Sequence, residues 1–336
     1  MATSTNRRGF LNKTLLGTAS AGALLGQHEM LVAADDAPPK PADAPASASD
    51  AAFPQGQVGK VKMSRMLLGG NLMGGWAHSR DLNYVTNLFK AYNTEAKVFE
   101  TMALAEKAGI NTVQIDPACL DVYCKYLQRG GKMQSVICMP VSDNYQAVAD
   151  TAKRLVDSGA TMIYVHGGVA ESIIMSGGVK IVAKSLEIMR KQGTPVGIGS
   201  HSLEVPMISE KEGLPVDFYL KTLHIDRYWS ATPKEYRQEW CWHKPMSEDY
   251  RGFHDNMWCL DADKTVEFMA TVKKPWIAFK VLAAGAIHPS IGFSHAFRSG
   301  ADFICVGMFD FQIEQDAAMV KDVVQKSKHR KRPWCA

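Results

Sequence analysis

The chain has 336 residues, 46% hydrophobic and 21% charged, a globular composition with ample apolar material for one large core. The formal net charge of +4 is small, and much of it sits at the two ends, in Arg7-Arg8 and in the run from Lys326 to Arg332. The body is close to neutral, which excludes the basic face that a nucleic-acid partner needs.

In chain order, Asn6-Arg7-Arg8-Gly9-Phe10-Leu11-Asn12-Lys13 resembles a twin-arginine export signal. A weakly apolar stretch follows from Leu15 to Leu25, then small residues near Val32-Ala33-Ala34 where a peptidase would cut. That stretch is too short and too rich in Gly, Ala, Ser and Thr to span a bilayer comfortably. Residues 1–34 are therefore expected to be a signal peptide, the destination periplasmic or otherwise extracytoplasmic, and the export machinery the sole membrane contact. Residues 35–57, rich in Pro, Ala and Asp, are expected to be a disordered linker. Residues 58–327 hold the folded domain, and 328–336 read as a solvated basic tail.

From Met66 onward, short apolar runs alternate with longer amphipathic segments. Strands are expected at Met66–Gly70, Thr112–Asp116, Ser135–Met139, Thr161–His166, Pro195–Ser200, Asp217–Leu223, Trp276–Val281 and Asp302–Gly307. Helices fall at Thr94–Ala108, Leu120–Gly130, Tyr145–Ser158, Glu171–Gln192, Glu204–Lys211, Asp261–Val272, Ile287–Ser299 and Phe311–Ser327. Continuously apolar strands are buried on both faces, and eight such alternations predict a closed (β/α)8 TIM barrel. Gly109, Gly159 and Gly300 supply left-handed caps between helix and strand. An open doubly wound sheet would need a GxGxxG turn, which Gly69-Gly70-Asn71-Leu72-Met73-Gly74-Gly75 does not match.

The stretch from Ile225 to Leu260 is a long loop after the sixth strand, carrying Tyr228, Trp229, Tyr236, Trp240, Trp242, Tyr250 and Trp258. These aromatics either stack on sugar rings as a lid or form the loop's own small core. The seven cysteines form no CxxC pair and imply no disulfide framework; Cys138 and Cys305, inside apolar runs, read as inert buried thiols. Whether Cys241 and Cys259 pair is left open.

In such barrels the chemistry lies where strands end. Those positions hold Asn71, Asp116, Met139, His166, His201, His224 and Lys280. Three histidines follow three consecutive strands about 5 Å apart, so their imidazoles would converge. Asp116 suits general acid/base work or the capping of its own turn. Lys280, after an apolar strand, suits charge stabilisation at the mouth or a reach to solvent. Met139 reads as core or pocket lining.

Several segments together resemble the aldo/keto reductase superfamily over most of residues 61–325. They are Lys62 to Gly70, Ala105 to Thr112 with Asp116, Tyr164-Val165-His166, Val196 to His201, Ala278 to Gly285 and Ile304 to Met308. The resemblance implies an Asp–Tyr–Lys–His tetrad working with NAD(P), and gives Asp116, Tyr123, His166 and Lys280 as catalytic residues. It gives Ser200, His201, Gly307 and Met308 as cofactor contacts. Asp116 and His166 match the tetrad directly, while Tyr123 stands about two residues later than the family's tyrosine. The chain departs from the pattern at Met139, where the family has lysine, and Lys280 would take that lysine's place only by crossing the barrel mouth. Another departure is the acidic run Phe309 to Glu314, where basic residues would hold a 2′-phosphate.

Two functions follow. One is an exported aldo/keto reductase-like oxidoreductase acting on a carbonyl or sugar. The other is a metal-dependent lyase, isomerase or hydrolase on carbohydrate, with His166, His201 and His224 around a divalent ion. Both take a small-molecule substrate.

Overall fold

Eight short strands, buried on both faces, pair in parallel and close on themselves. They are β3 (Met66–Gly69), β4 (Thr112–Ile115), β5 (Gln134–Met139), β6 (Met162–Val165), β7 (Val196–Ser200), β8 (Phe218–Thr222), β9 (Trp276–Phe279) and β10 (Phe303–Val306). Pairing of β10 with β3 shuts the ring. This is the expected TIM barrel, with every strand within a residue or two of its predicted bounds. The structure is a computed structural model and describes residues 52–79, 82, 84–237, 258–327 and 329–336. The stretch expected to be an export signal and most of the expected linker lie outside them, as do Trp240, Trp242 and Tyr250. All described residues belong to the unit Ala46–Ala336.

Because side chains alternate along a strand, the apolar residues divide into two clusters. Leu67, Val136, Cys138, Met162, Tyr164, Phe218, Leu220, Ile277, Phe303 and Cys305 fill the barrel. The alternate positions, including Leu68, Ile115, Met139, Val165, Ile198 and Ile304, pack outward against the helices. Met139 is thus core behind the wall, and the inward group beside it is Cys138. Inside the ring, volume is matched across strands: a Cβ on Gly197 would come within 2.5 Å of the Phe218 ring.

The helices are α1 (Asn71–Gly74), α2 (Tyr84–Tyr92), α3 (Glu95–Lys107), α4 (Leu120–Gln128), α5 (Tyr145–Asp157), α6 (Gly167–Met175), α7 (Val179–Arg190), α8 (Glu204–Lys211), α9 (Ala262–Thr271), α10 (Pro289–Arg298) and α11 (Ile313–Lys326). Thr94 and Asn144 cap α3 and α5 through side-chain oxygens. Gly109, Gly159 and Gly300 take φ of 92°, 96° and 109°, the caps the sequence called for.

Three expectations change. The helix read as Glu171–Gln192 is two, α6 and α7, broken at Gly177-Gly178, where Gly177 turns left-handed at φ 86°. The linker ends earlier than Gln57. Phe53 is buried in the helix-side core, and Gln55–Val58 (β1) pairs antiparallel with Val61–Ser64 (β2). This hairpin sends Val58, Val61 and Met63 into the barrel-interior cluster.

The basic tail is not solvated, because its arginines have buried partners. Arg332 is 1% exposed, bonded to Asp302 at 2.6 Å and to the carbonyls of Val272, Gly300 and Lys274. Trp334 lies under both Arg65 and Arg330, at 3.7 and 3.3 Å from ring centroid to guanidinium carbon, and Arg65 donates to the Ala336 carbonyl at 2.7 Å. Cys259 is a free, buried thiol, and Cys241 lies outside the described residues.

Candidate functional site

The C-terminal mouth of the barrel gathers side chains from separate strand ends. Its floor is a polar thread across the barrel. Gln114 on β4 donates from Nε2 to the Tyr164 hydroxyl at 2.9 Å. The Cys138 thiol donates to Asp116 Oδ2 at 3.4 Å, while Asp116 Oδ1 caps the next turn by accepting from the Ala118 N–H at 2.8 Å. Asp116 therefore caps its own turn with one oxygen and meets the Cys138 thiol with the other. Burial holds the Tyr164 phenol well above its ordinary range, with the neighbouring Cys138, Cys305 and Asp116 adding to it. Burial likewise raises Cys138 well above the thiol range and lifts Cys305 to about 12. Both thiols stay protonated, as expected of inert core cysteines.

Above this floor stands a second group. Lys280, just past β9, is held in the left-handed region at φ 57°, a costly conformation for a side chain with a Cβ. Its Nζ lies 4.3 Å from the centroid of Trp258. His78, in the loop after α1, meets the same indole edge-on at 5.8 Å and also has positive φ, 48°. The Lys280 charge, then burial, then His201 bring the His78 imidazole down to about 3, so this ring is neutral although its surface is open at the rim. His201, after β7, lies 5.5 Å from the Phe279 ring. Its Nδ1 is 3.3 Å from Glu171 Oε2, and Glu171 is fully buried on α6. The other carboxylate oxygen of Glu171 accepts the backbone N–H groups of His201 and Ser202, the latter at 2.7 Å.

His224 serves this group from behind. Its Nδ1 is 2.7 Å from the Ile225 carbonyl, and its Nε2 accepts the N–H groups of Trp258 and Cys259 at 3.1 and 3.0 Å. With Thr222 Oγ1 donating to the Trp258 carbonyl at 2.8 Å, this fixes the indole that Lys280 and His78 rest on. His224 is buried and both its ring nitrogens are engaged, which takes it out of the metal set. Among the described residues, no group of three His, Cys, Asp or Glu side chains is arranged to hold a metal ion.

Of the other expected catalytic residues, His166 ends β6 on the mouth side, exposed, as the N-cap of α6. Tyr123 is corrected. Its hydroxyl donates to the Met133 carbonyl at 2.9 Å, just before β5 begins, so it is tied down at the opposite end of the barrel. The four expected cofactor contacts do not gather into a cradle. Gly307 is exposed and His201 reaches the mouth, but Ser200 and Met308 are buried on the outward side of the wall. Asp310, in the acidic run, is occupied by the Tyr92 hydroxyl at 2.6 Å and by Lys97 at 3.0 Å. These residues do not fit a bound nicotinamide nucleotide.

Sequence reasoning missed Glu171 and His78, and placed Trp258 only among the aromatics of the long loop. Glu171 had a signal: it is the sole charge in the apolar helix GGVAESIIM. His78 follows the Gly74-Gly75 pair that closes α1, the first turn after the opening strand. Of the long loop's aromatics, Trp258 joins Ala283, Ile287, Ile225 and Tyr228 in a small core of its own, whereas Trp229 is 93% exposed.

No protein-family model matches the chain, and no curated protein matches it in sequence. Among solved structures the fold is similar to that of Gox0644 in its apo form. The TM-score is 0.52 at 10% identity, covering 84% of this chain and 97% of that one. A mandelate oxidase variant aligns with TM-score 0.48 at 11% identity, over 82% of this chain and 78% of its own. A truncated 3-deoxy-D-arabino-heptulosonate 7-phosphate synthase from Thermotoga maritima gives 0.42 at 13%, over 82% and 91%. At such identities the likeness is one of fold, and function must be argued from the site.

Proposed function

We propose that this chain is an enzyme acting on a carbonyl or sugar substrate at the barrel mouth, by proton transfer and oxyanion stabilisation with its own side chains. One observation carries the reading. His78 and Lys280, from two separate βα junctions, meet on the Trp258 ring at 5.8 and 4.3 Å, and His201, from a third, lies 5.5 Å from Phe279, the residue that precedes Lys280. The Lys280 ammonium would stabilise negative charge developing on a substrate oxygen. His201, braced by Glu171, would exchange the proton, and neutral His78 would hydrogen-bond a second oxygen without adding charge. Asp116 lies towards the floor, where a substrate hydroxyl would meet it.

An aldo/keto reductase-like activity is the redox form of this reading, with NAD(P) as hydride carrier. The placement of Ser200, Met308 and Asp310 gives it little support. A divalent metal would have to bind without His224.

The test is product analysis by NMR on a panel of aldoses, ketoses and sugar acids. Each is run with and without NADH or NADPH, alongside a nucleotide fluorescence titration and metal analysis. Lys280→Met is expected to lower turnover by roughly 100-fold or more while the melting temperature holds. Turnover untouched by both Lys280→Met and His201→Ala would refute the proposal. Nucleotide binding by metal-free protein would restore the redox form.

A further inference from the structure

We propose that Glu171 is a positioning residue that fixes the proton of His201 on Nδ1 and so aims Nε2 as the proton-exchanging atom; the role of His201 rests on the function proposed above. A carboxylate buried to 0% exposure on an apolar helix is costly unless every lone pair is used. Here the two oxygens are used differently. Oε1 takes two backbone N–H groups, from His201 and Ser202, and this staples the β7–α8 turn to α6. Oε2 faces the imidazole Nδ1 at 3.3 Å.

An ionised carboxylate only accepts, so this contact is a hydrogen bond in the tautomer with its proton on Nδ1. Two N–H donors on the other oxygen favour that ionised state. Near the ring lie the Phe279 side chain, 5.5 Å between ring centroids, and His78, on which His201 acts electrostatically. Glu171 is the sole carboxylate bonded to His201 among the described residues. A purely structural staple would need Oε1 alone. The second oxygen, set on the ring nitrogen, is what a tautomer selector adds.

Glu171→Gln separates the two roles. Its amide oxygen can keep both backbone N–H groups, while its NH2 replaces Oε2 and must donate to Nδ1. The loop staple survives and the imidazole proton is driven to Nε2. The measurement is long-range 1H–15N correlation of the imidazoles in the full chain, with His201 assigned among the ten histidines by a His201→Gln spectrum. The expected result is Nδ1–H in the native protein and Nε2–H in Glu171→Gln, with turnover lowered roughly 100-fold.

A native His201 protonated on Nε2, or a tautomer that ignores the substitution, would overturn the proposal. If the variant does not fold, the native spectrum still decides, and Glu171→Asp, which withdraws the carboxylate by one methylene, gives the second reading. The outcomes stay separable. A correct tautomer switch without turnover of any substrate sinks the functional reading and leaves the pair standing. Turnover with an indifferent tautomer sinks the pair alone.

Discussion

His224 shows in numbers what a buried imidazole contributes. Its Nε2 is the acceptor for two backbone N–H groups that have no water to turn to. Removing it by His224→Leu should cost about 2–6 kcal/mol, since each of the two orphaned buried donors costs roughly 1–3 kcal/mol. Burial first, with the charges of Lys221 and Lys280 behind it, brings the pKa of His224 from 6.5 to about 4. The folded value lies below the unfolded one, so the unfolded chain takes up the proton first as pH falls. The stability that goes with this neutral ring is whole above pH 6.5 and is lost progressively as pH drops through 4. At 1.36 kcal/mol per pKa unit the loss is up to about 3 kcal/mol. Urea midpoints between pH 7 and pH 4 should therefore fall more steeply for the native protein than for His224→Leu. Parallel slopes would show that the ring is not held neutral. Because His224 also carries Trp258, the same substitution should reduce any turnover that Lys280→Met abolishes.

At the level of elements, the C-terminal segment acts as a strap across the base of the barrel. Arg332 and Asp302 are 1% and 0% exposed, and Asp302 also accepts the N–H groups of Trp276 and Cys335. Breaking a buried pair on one side leaves the other charge stranded, so Arg332→Met should destabilise by about 3–5 kcal/mol. Arg332→Met with Asp302→Asn should recover part of that, which a double-mutant cycle of denaturation midpoints measures. Nothing in the sequence run from Lys326 to Arg332 announces this, because the partner lies 30 residues away and composition alone reads basic residues as surface. The β1–β2 hairpin was hidden for a related reason: four-residue strands following a Pro/Ala-rich stretch give no period to detect. Helix α2 buries no residue at all, so it shows no core-facing stripe. The eight barrel strands were legible because burial on both faces makes each an unbroken apolar run. Of the site, Asp116, His201 and Lys280 were legible because they end such runs. Glu171, His78 and Trp258 reach the mouth from a helix and two loops, where position along the chain says nothing of direction.

For the whole molecule, the two ends of the barrel are built to different rules. The mouth carries the strained and polar residues: positive φ at His78 and Lys280, a buried carboxylate, protonated thiols. The base is closed by the β1–β2 hairpin, whose Val58, Val61 and Met63 extend the inner core, and by the strap, whose Ala336 packs on that same core. Stability is thus concentrated opposite the chemistry, as barrel architecture allows. This division predicts the limits of the folding unit. A chain beginning at Phe53 and ending at Ala336 should melt where the full chain does, since Phe53 and β1 are retained. A chain beginning at Gly59 should melt lower, because β2 loses its partner strand and Met63 its cover. A chain ending at Ser327 should lose most of its cooperativity, because it uncovers the inner core and leaves Asp302 buried without Arg332. Calorimetry on the three chains decides the point. If the chain ending at Ser327 melts with the full chain, the β10–β3 pairing alone holds the ring, and the strap's buried arginine compensates only for the carboxylate it covers.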